Sequence, residues 1–343
     1  MAALPSVASG IAIKRAERHM KIGGMRIGIV GAGIAGLSCA DMLHAAGHEV
    51  MVFDKGRGAS GRMATRNIRT PSGVVAFDHG AQYFTTRDPR FAAVVADWQG
   101  AGVAAPWPSA GDDAWVGTPG MSAVVKALSR PLAVQWNSRV EAIRRVDRSW
   151  FLDSVADDPF DTVIVAIPAE QAAPLLVAHE PAMAAMAQGC PSAPCWTVMA
   201  AFAERIVIPG DIIRDAGIIG WAARNNAKPG RDEIEAWVIQ ATADWSRDHL
   251  EDDETSVVDA LLAALAVQAN GELPKPIVRI GHRWRYARSK AAQHGLLWNE
   301  ATCIGAIGDW LLSPRIESAW LSGRMLADRI LSDRRQAGVD STN

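Results

Sequence analysis

Residues Gly31-Ala-Gly33-Ile-Ala-Gly36 set three glycines at a spacing that few local structures require. A short apolar run, Met25–Val30, leads into the first of them. Ile34–Ala46 then follows a helical period and stops at Gly47, a residue suited to the position just past a helix C-terminus. Glu49–Phe53 is a second apolar, β-branched run. Strand, helix and strand within about thirty residues make a parallel βαβ unit, because parallel strands need a crossover. In such a unit the first glycine permits the tight turn and the second lets a pyrophosphate approach the backbone. The third lets the helix pack on the strand, and the helix N-terminus faces the anion. Asp54, 23 residues after Gly31, ends the second strand and is the acid expected to hold adenosine ribose hydroxyls. An acid at that point argues against a 2′-phosphate in this site.

The fingerprint alone does not separate one dinucleotide from another. Two later features point to FAD. Lys55-Gly-Arg-Gly-Ala-Ser-Gly61-Arg62-Met63 follows the acid directly and offers flexible backbone with a cation for phosphate. Near the C-terminus, Ile304-Gly-Ala-Ile-Gly308-Asp309 ends an apolar strand, Ala301–Ile307, and leads into Ser313-Pro-Arg-Ile316-Glu317. Asp309 is placed to accept from ribityl hydroxyls, and the helix that starts beyond it, Glu317–Leu331, is placed to stabilise negative charge on a reduced flavin ring.

Between these two ends the chain reads as a separate lobe. Val134–Arg144 and Trp150–Asp153 are predicted strands joined by a turn at residues 145–148, and Asp161–Ile167 is an apolar strand without alternation, as suits burial on both faces. Residues 190–290 mix short strands with one helix, Glu254–Ala269, and a turn at Asn225–Arg231. The chain must leave the nucleotide layer and return to it. The expected fold is α/β: a Rossmann-type FAD-binding domain with an inserted substrate domain, which the family resemblance given below implies is a mixed or antiparallel sheet. Residues 25–77, 118–172 and 290–334 fall to the first domain, and 78–117 and 173–289 to the second. Residues 1–24 read as a disordered extension and 335–343 as a flexible tail.

Composition narrows the function further. Hydrophobic residues make up 49% and charged residues 21%, so a chain of 343 residues can bury a large core. A net charge of −2 offers no global basic field for nucleic acid or a membrane surface. No stretch approaches the roughly 18 apolar residues of a membrane span. Residues 1–24 also lack a signal-peptide core, which points to a cytoplasmic protein. Cys39, Cys190, Cys195 and Cys303 match neither a zinc pattern nor a disulfide framework and read as free thiols. No Ser/His/Asp or Cys/His constellation is evident, and no metal site is expected. Thirteen Trp stand against two Tyr. That scarcity of tyrosine counts against a tyrosine-lined amine site.

Two segments are candidates for the substrate pocket. Asp78-His-Gly80-Ala81-Gln82-Tyr83-Phe84-Thr-Thr-Arg87 permits close backbone approach to a ring at Gly80-Ala81, with Arg87 as a cation for a substrate phosphate. His282-Arg-Trp284-Arg-Tyr286-Ala-Arg288 alternates with period two, so His282, Trp284 and Tyr286 share one face if it is a strand. Arg283 and Arg285 are the further cations expected near the ring. Trp115-Val-Gly117 is a third candidate. His79 reads as an ordinary hydrogen-bonded core histidine, and Cys303 as a buried residue unsuited to covalent flavin linkage.

The segments GAGIAG, FDKGRGASGRM, FDHGAQYFT, FDTVIVAIP, GDW and SPRIESAWLSG, spread over Met25–Leu331, resemble the renalase branch of the amine-oxidase-like flavoproteins. NNAKPGR (225–231) and WVIQATADWSRDHL (237–250) carry the same likeness outside the flavin motifs. The resemblance implies non-covalent FAD on an amine-oxidase or p-hydroxybenzoate-hydroxylase-like fold. It implies a cofactor site of Gly31, Ala32, Gly33, Ile34, Ala35, Gly36, Asp54, Lys55, Gly61, Arg62, Met63, Gly80, Ala81, Gln82, Val140, Asp309, Ile316 and Glu317. The substrate residues it implies are Tyr83, Phe84, Arg87, Trp115, Gly117, Trp284 and Tyr286. The implied activity is oxidation of 2- or 6-dihydro isomers of NAD(P)H to NAD(P)+, with O2 reduced to hydrogen peroxide. The implied partners are thus a dinucleotide and O2. Two other readings stand beside it: a flavin amine oxidase or desaturase on another donor, and a flavin-binding redox sensor with negligible turnover.

Overall fold

The computed structural model describes residues 24–71 and 73–340, so the extension expected over residues 1–24 falls outside the described residues except for Gly24. The βαβ unit forms as its sequence dictates. Arg26–Val30 and Glu49–Phe53 pair in parallel, joined by helix Ile34–Ala45. Ile27, Ile29, Leu37 and Leu43 are fully buried between strand and helix, each contributing about 1.5–3 kcal/mol. Thr162–Val165 lies on the other flank of the first strand, and Ile304–Ala306 lies beyond it, both parallel. Ala133–Gln135 extends the opposite edge, and Leu297–Asn299 closes the sheet antiparallel to its neighbour. All four residues of Thr162–Val165 are buried, in keeping with their lack of alternation.

The expected strand Val134–Arg144 is in fact two elements. Ala133–Gln135 joins the six-stranded sheet, the chain turns at Asn137 with φ +55°, and Ile143–Val146 starts a separate hairpin with Ser149–Leu152. A polar Asn-Ser-Arg interruption marked that break.

Between Val165 and Ile304 the chain leaves the layer and builds a five-stranded antiparallel sheet. Its spatial order is Ile212–Ala216, Ile219–Arg224, Glu235–Ala241, Ser192–Phe202 and Pro276–Ser289. The last two strands have 11 and 14 residues, longer than the short strands expected. One face carries Trp196, Val198, Trp237 and Ile239 against helix Glu254–Gln268. The other carries Met199, Ala201, Val238 and Val278 against Val75 and Phe77 of the hairpin Thr65–Thr70/Gly73–Asp78. The fold is therefore α/β, with a Rossmann-type layer and an inserted antiparallel sheet.

Packing crosses the boundaries drawn from sequence. The hairpin, counted with the nucleotide layer, covers the inserted sheet. Phe84, Phe91, Trp98, Trp107 and Val116, counted with the substrate lobe, share a core with the fingerprint helix and the C-terminal helix. That last helix runs from Ile316 to Asp340, through the first six residues expected as a flexible tail. Gly323 sets its crossing with the fingerprint helix: a Cβ there would stand 2.2 Å from the Ala35 carbonyl oxygen and 2.2 Å from Ser38 Oγ. Ser38 Oγ donates to the Trp320 carbonyl at 3.0 Å across the same contact. Gly323→Ala is therefore expected to destabilise the fold by about 1–3 kcal/mol through overpacking. Gly100→Ala, whose Cβ meets open space at a helix end, should leave the melting temperature unchanged or slightly raised. Equal melting temperatures for the two variants would disprove the close crossing.

Candidate functional site

The three fingerprint glycines hold three different environments. Gly31 has φ +108°, and a Cβ on it would stand 2.5 Å from the Ala166 carbonyl oxygen. A Cβ on Gly36 would stand 2.0 Å from the Gly31 carbonyl oxygen. Gly33 faces open space at the N-terminus of the helix, with nothing within 4 Å of its missing Cβ. A concave patch of backbone at a helix N-terminus fits a pyrophosphate. Asp54 turns its carboxylate back to the same turn, accepting from the Ala32 N–H at 2.7 Å and the Gly56 N–H at 2.7 Å. These bonds aim the carboxylate and leave each oxygen a further lone pair for a ribose hydroxyl. The Asn137 and Ser138 N–H groups donate to the Gly56 and Asp54 carbonyls, which brings buried Val140 beside this end. Lys55 leaves the cradle instead, and its Nζ donates to Gln171 Oε1 at 3.0 Å.

The loop carrying Gly61, Arg62 and Met63 closes over the fingerprint: Gly61 packs beside Gly33, and Met63 enters the core around Ile34, Ala35 and Leu37. Arg62 forms a bidentate pair with Asp309, at 2.7 and 2.6 Å. The cation expected on phosphate and the acid expected on ribityl oxygens thus hold each other, joining segments 247 residues apart. Glu317 has a similar fate. Its buried carboxylate accepts from the Arg87 and Asp88 N–H groups at 2.6 and 2.7 Å and pairs with Arg315 at 2.8 Å. Ile316 next to it opens the C-terminal helix. The side chain of Glu317 clamps the loop before Pro89.

Gly80 and Ala81 sit directly against the Arg62 backbone. The Ala81 N–H donates to the Arg62 carbonyl at 2.8 Å, and a Cβ on Gly80 would stand 2.1 Å from that oxygen and 3.4 Å from the Trp284 ring. Above them lies one row of the antiparallel sheet. Trp221 pairs with Gln240, Gln240 with Thr197, and Thr197 with His282, so all four side chains share a face. Gln240 Nε2 donates to the Gly80 carbonyl at 2.8 Å, and Trp284 Nε1 donates to the His79 carbonyl at 2.8 Å. His79 stacks on Trp284 at 5.3 Å and meets His282 edge-on at 4.9 Å. Tyr83 packs against Trp221 at 5.3 Å and Trp107 at 6.4 Å.

Several expected substrate residues stand elsewhere. Phe84 is a core residue against Phe91 and Trp98, with Trp115 beside it as its cross-strand partner. Gly117 is buried, and its carbonyl accepts from Arg231 Nη1 at 2.7 Å. Arg87 is exposed. Arg283 and Arg285 face away from the row, as alternation requires, and both pair with Glu251, at 2.8 and 2.6 Å. Tyr286 lies where the strand's register slips, between the pairings Cys195–Trp284 and Ala193–Arg288. Such bulges re-aim side chains beside functional sites.

The sequence reading missed the groups that fix this geometry. Asp78, fully buried, accepts from Thr65 Oγ1 and the Met121 N–H and pairs with Lys228 and Arg231. Burial raises its pKa, but the two cations and the hydrogen bonds outweigh that and hold it below the ordinary carboxylate range. Burial pulls Lys228 down to about 8 against the opposing effect of Asp78, and its Nζ also donates to Gln82 Oε1 at 3.1 Å. The Asn-Asn-Ala-Lys-Pro-Gly-Arg turn was the available signal, since its two cations had no partner within the turn. His79 is buried, as expected, but its Nδ1 has no hydrogen-bond partner among the described residues.

Burial drives the His79 pKa down to about 4, with His282 and Arg66 adding to the effect. The imidazole is neutral in the folded protein at neutral pH, while an unfolded chain takes up a proton near pH 6.5. The unfolded state therefore binds more protons between about pH 6.5 and 4, and stability falls as pH drops through that window. His79→Gln should flatten that part of a denaturation-midpoint-against-pH profile. A wild-type midpoint flat from pH 7 to 4.5 would remove the buried neutral histidine.

Residues 29–98 match a family described as NAD(P)-binding Rossmann-like domain, and residues 108–302 match flavin containing amine oxidoreductase. Among solved structures, a putative protoporphyrinogen oxidase from Exiguobacterium sp. 255-15 aligns with TM-score 0.70 at 12% identity, over 89% of this chain and 98% of that one. Cyclohexylamine oxidase from Brevibacterium oxydans IH-35A aligns with TM-score 0.69 at 13% identity, over 91% and 100%. An A394C mutant of putrescine oxidase aligns with TM-score 0.65 at 14% identity, over 90% and 99%. At such identities the likeness is one of fold. The second family match, however, spans more than half of the chain and takes in the whole inserted sheet, and the chain belongs to the flavin-containing amine oxidoreductase family.

Proposed function

We propose that this flavin-dependent oxidoreductase is a renalase-type oxidase. It takes a hydride from a 2- or 6-dihydro isomer of NAD(P)H and passes the electrons to O2. In balance, the dihydropyridine, one proton and O2 give NAD(P)+ and H2O2. The observation that carries the reading is the row over Gly80. It presents Trp221, Gln240, Thr197 and His282, with Trp284 and neutral His79 beside it. Flat rings and neutral hydrogen-bonding groups suit a dihydropyridine carboxamide. Loss of hydride restores an aromatic pyridinium, so the donor carbon needs no general base, and a histidine held neutral at neutral pH is compatible with that.

A protonated amine fits less well. Asp78, Lys228 and Arg231 together leave an excess positive charge behind Gln82, and Arg66 lies close enough to His79 and His282 to lower both pKa values. Like charge disfavours a cationic donor at this face.

The flavin in this reading is FAD, since Gly33 and Asp54 provide for the pyrophosphate and ribose of an adenosine half, and bound FAD supplies the two-electron acceptor. It is held without a covalent bond. Cys303 is half-buried in a turn at φ +56°, not inside the strand as expected, and Ile304–Ala306 separates it from Gly308-Asp309. Burial raises the Cys195 thiol to about 11, only partly offset by Thr197, so it is a poor nucleophile. Denaturation should release free FAD, and Asp54→Ala should weaken FAD binding by about 1–3 kcal/mol. Flavin retained on precipitated protein, or unchanged affinity in the variant, would count against this arrangement.

Anaerobic mixing with 2- or 6-dihydro-NAD(P) should bleach the flavin quickly, whereas 4-dihydro-NAD(P)H and simple amines should do so slowly. Trp284→Ala should slow reduction more than reoxidation by O2, because positioning of the ring within about 3–3.5 Å governs transfer. Fast bleaching by an amine, with no response to the isomers, would replace this reading with an amine oxidase. The cyclohexylamine and putrescine oxidases of like fold make that the natural alternative.

A further inference from the structure

A cavity of about 440 Å³ opens at the end of the antiparallel sheet and is lined by Ser192, Arg247, Arg288, Ser289 and Lys290, with Pro191 and Ala193. Three of these residues are cations and none is acidic. The carboxylates nearby are already engaged. Asp244 pairs with Arg247 at 2.8 Å, Glu170 accepts from the Ser192 N–H and hydroxyl, and Asp309 is held by Arg62. Arg288 and Lys290 have no ion-pair partner among the described residues and are exposed to solvent. Arg288 and Lys290 repel each other across the cavity, and an anion entering it relieves that repulsion.

The position of the cavity matters as much as its charge. Arg288 pairs with Ala193 across the sheet, and Trp284 pairs with Cys195. Ala193 and Cys195 are two residues apart, so they share a face, and so do their partners. Arg288 therefore continues the face that carries His282 and Trp284. The two extra residues taken up by the register slip lie between them. Four strand residues span on the order of 10 Å. In a dinucleotide, a ribose and a methylene separate the nicotinamide ring from the first phosphate, and the second phosphate extends beyond it.

We infer that the cavity formed by Arg247, Arg288 and Lys290 binds the pyrophosphate of the dinucleotide substrate whose nicotinamide ring lies at Trp284. The inference rests on the functional reading above for the ring and adds the site that recognises the rest of the molecule. It also moves that role away from Arg283 and Arg285, which Glu251 engages on the opposite face.

The test uses FAD-saturated holoenzyme and titrates ADP-ribose, which carries the pyrophosphate but no nicotinamide. Wild-type protein should bind it, with an affinity that falls as salt rises. The double variant Arg288→Gln/Lys290→Gln should weaken binding about tenfold or more, the scale of losing one or two charge-assisted contacts. In turnover, the double variant should raise KM for dihydro-NAD isomers and leave both KM and kcat unchanged for the corresponding phosphate-free dihydronicotinamide riboside. Equal ADP-ribose binding by wild type and variant would overturn the inference. So would a fall in flavin content of the purified variant, which would assign the cavity to the cofactor. Weakened ADP-ribose binding in the variant, in a protein whose flavin no dihydro isomer bleaches, would uphold the cavity while removing the hydride-donor reading.

Discussion

Asp78 has no access to water, yet it is ionised and holds groups from three separate parts of the chain. Thr65 reaches it from the first strand of the hairpin, the Met121 N–H from the start of a helix, and Lys228 and Arg231 from the turn between two strands of the inserted sheet. A buried carboxylate is tolerated only when charge and hydrogen bonds replace its hydration. Removing one member of such a set leaves uncompensated buried charge and costs about 3–5 kcal/mol. The next residues in the chain are His79, Gly80 and Ala81. The carboxylate thereby fixes where the backbone passes beneath Trp284 and Gln240, and the two layers of the fold meet at that point.

The rest of the site depends on which face of each strand looks towards that crossing. Along Pro276–Ser289 the residues facing it are Val278, Ile280, His282 and Trp284. The intervening arginines, Arg279, Arg283 and Arg285, pair with Asp259 and Glu251 on the helical side. One strand thus supplies rings to one surface and solvated ion pairs to the other, and exposed pairs of that kind add little to stability. The register slips after Trp284, so that Arg288 pairs with Ala193 two residues before the partner of Trp284.

The βαβ unit of the nucleotide half, with its three glycines and the acid at the end of the second strand, was legible in the sequence. The Gly33 and Gly36 positions and the turn of Asp54 onto the Ala32 N–H arise within about thirty consecutive residues, whereas the close contact that Gly31 permits is made with Ala166 of a distant strand. The returning strand with Gly308-Asp309 was visible for the same reason. Tertiary structure decided everything that joins distant segments. It paired Arg62 with Asp309, turned Glu317 onto the Arg87–Asp88 backbone, and sent Phe84 into the core with Trp98. It also gave Lys228 a partner that lies 150 residues away. A charged side chain carries no mark of its partner, because its choice is made by whichever opposite charge the fold desolvates beside it. Periodicity shows only that a strand has two faces. Which of them becomes a site depends on what the rest of the chain packs against each.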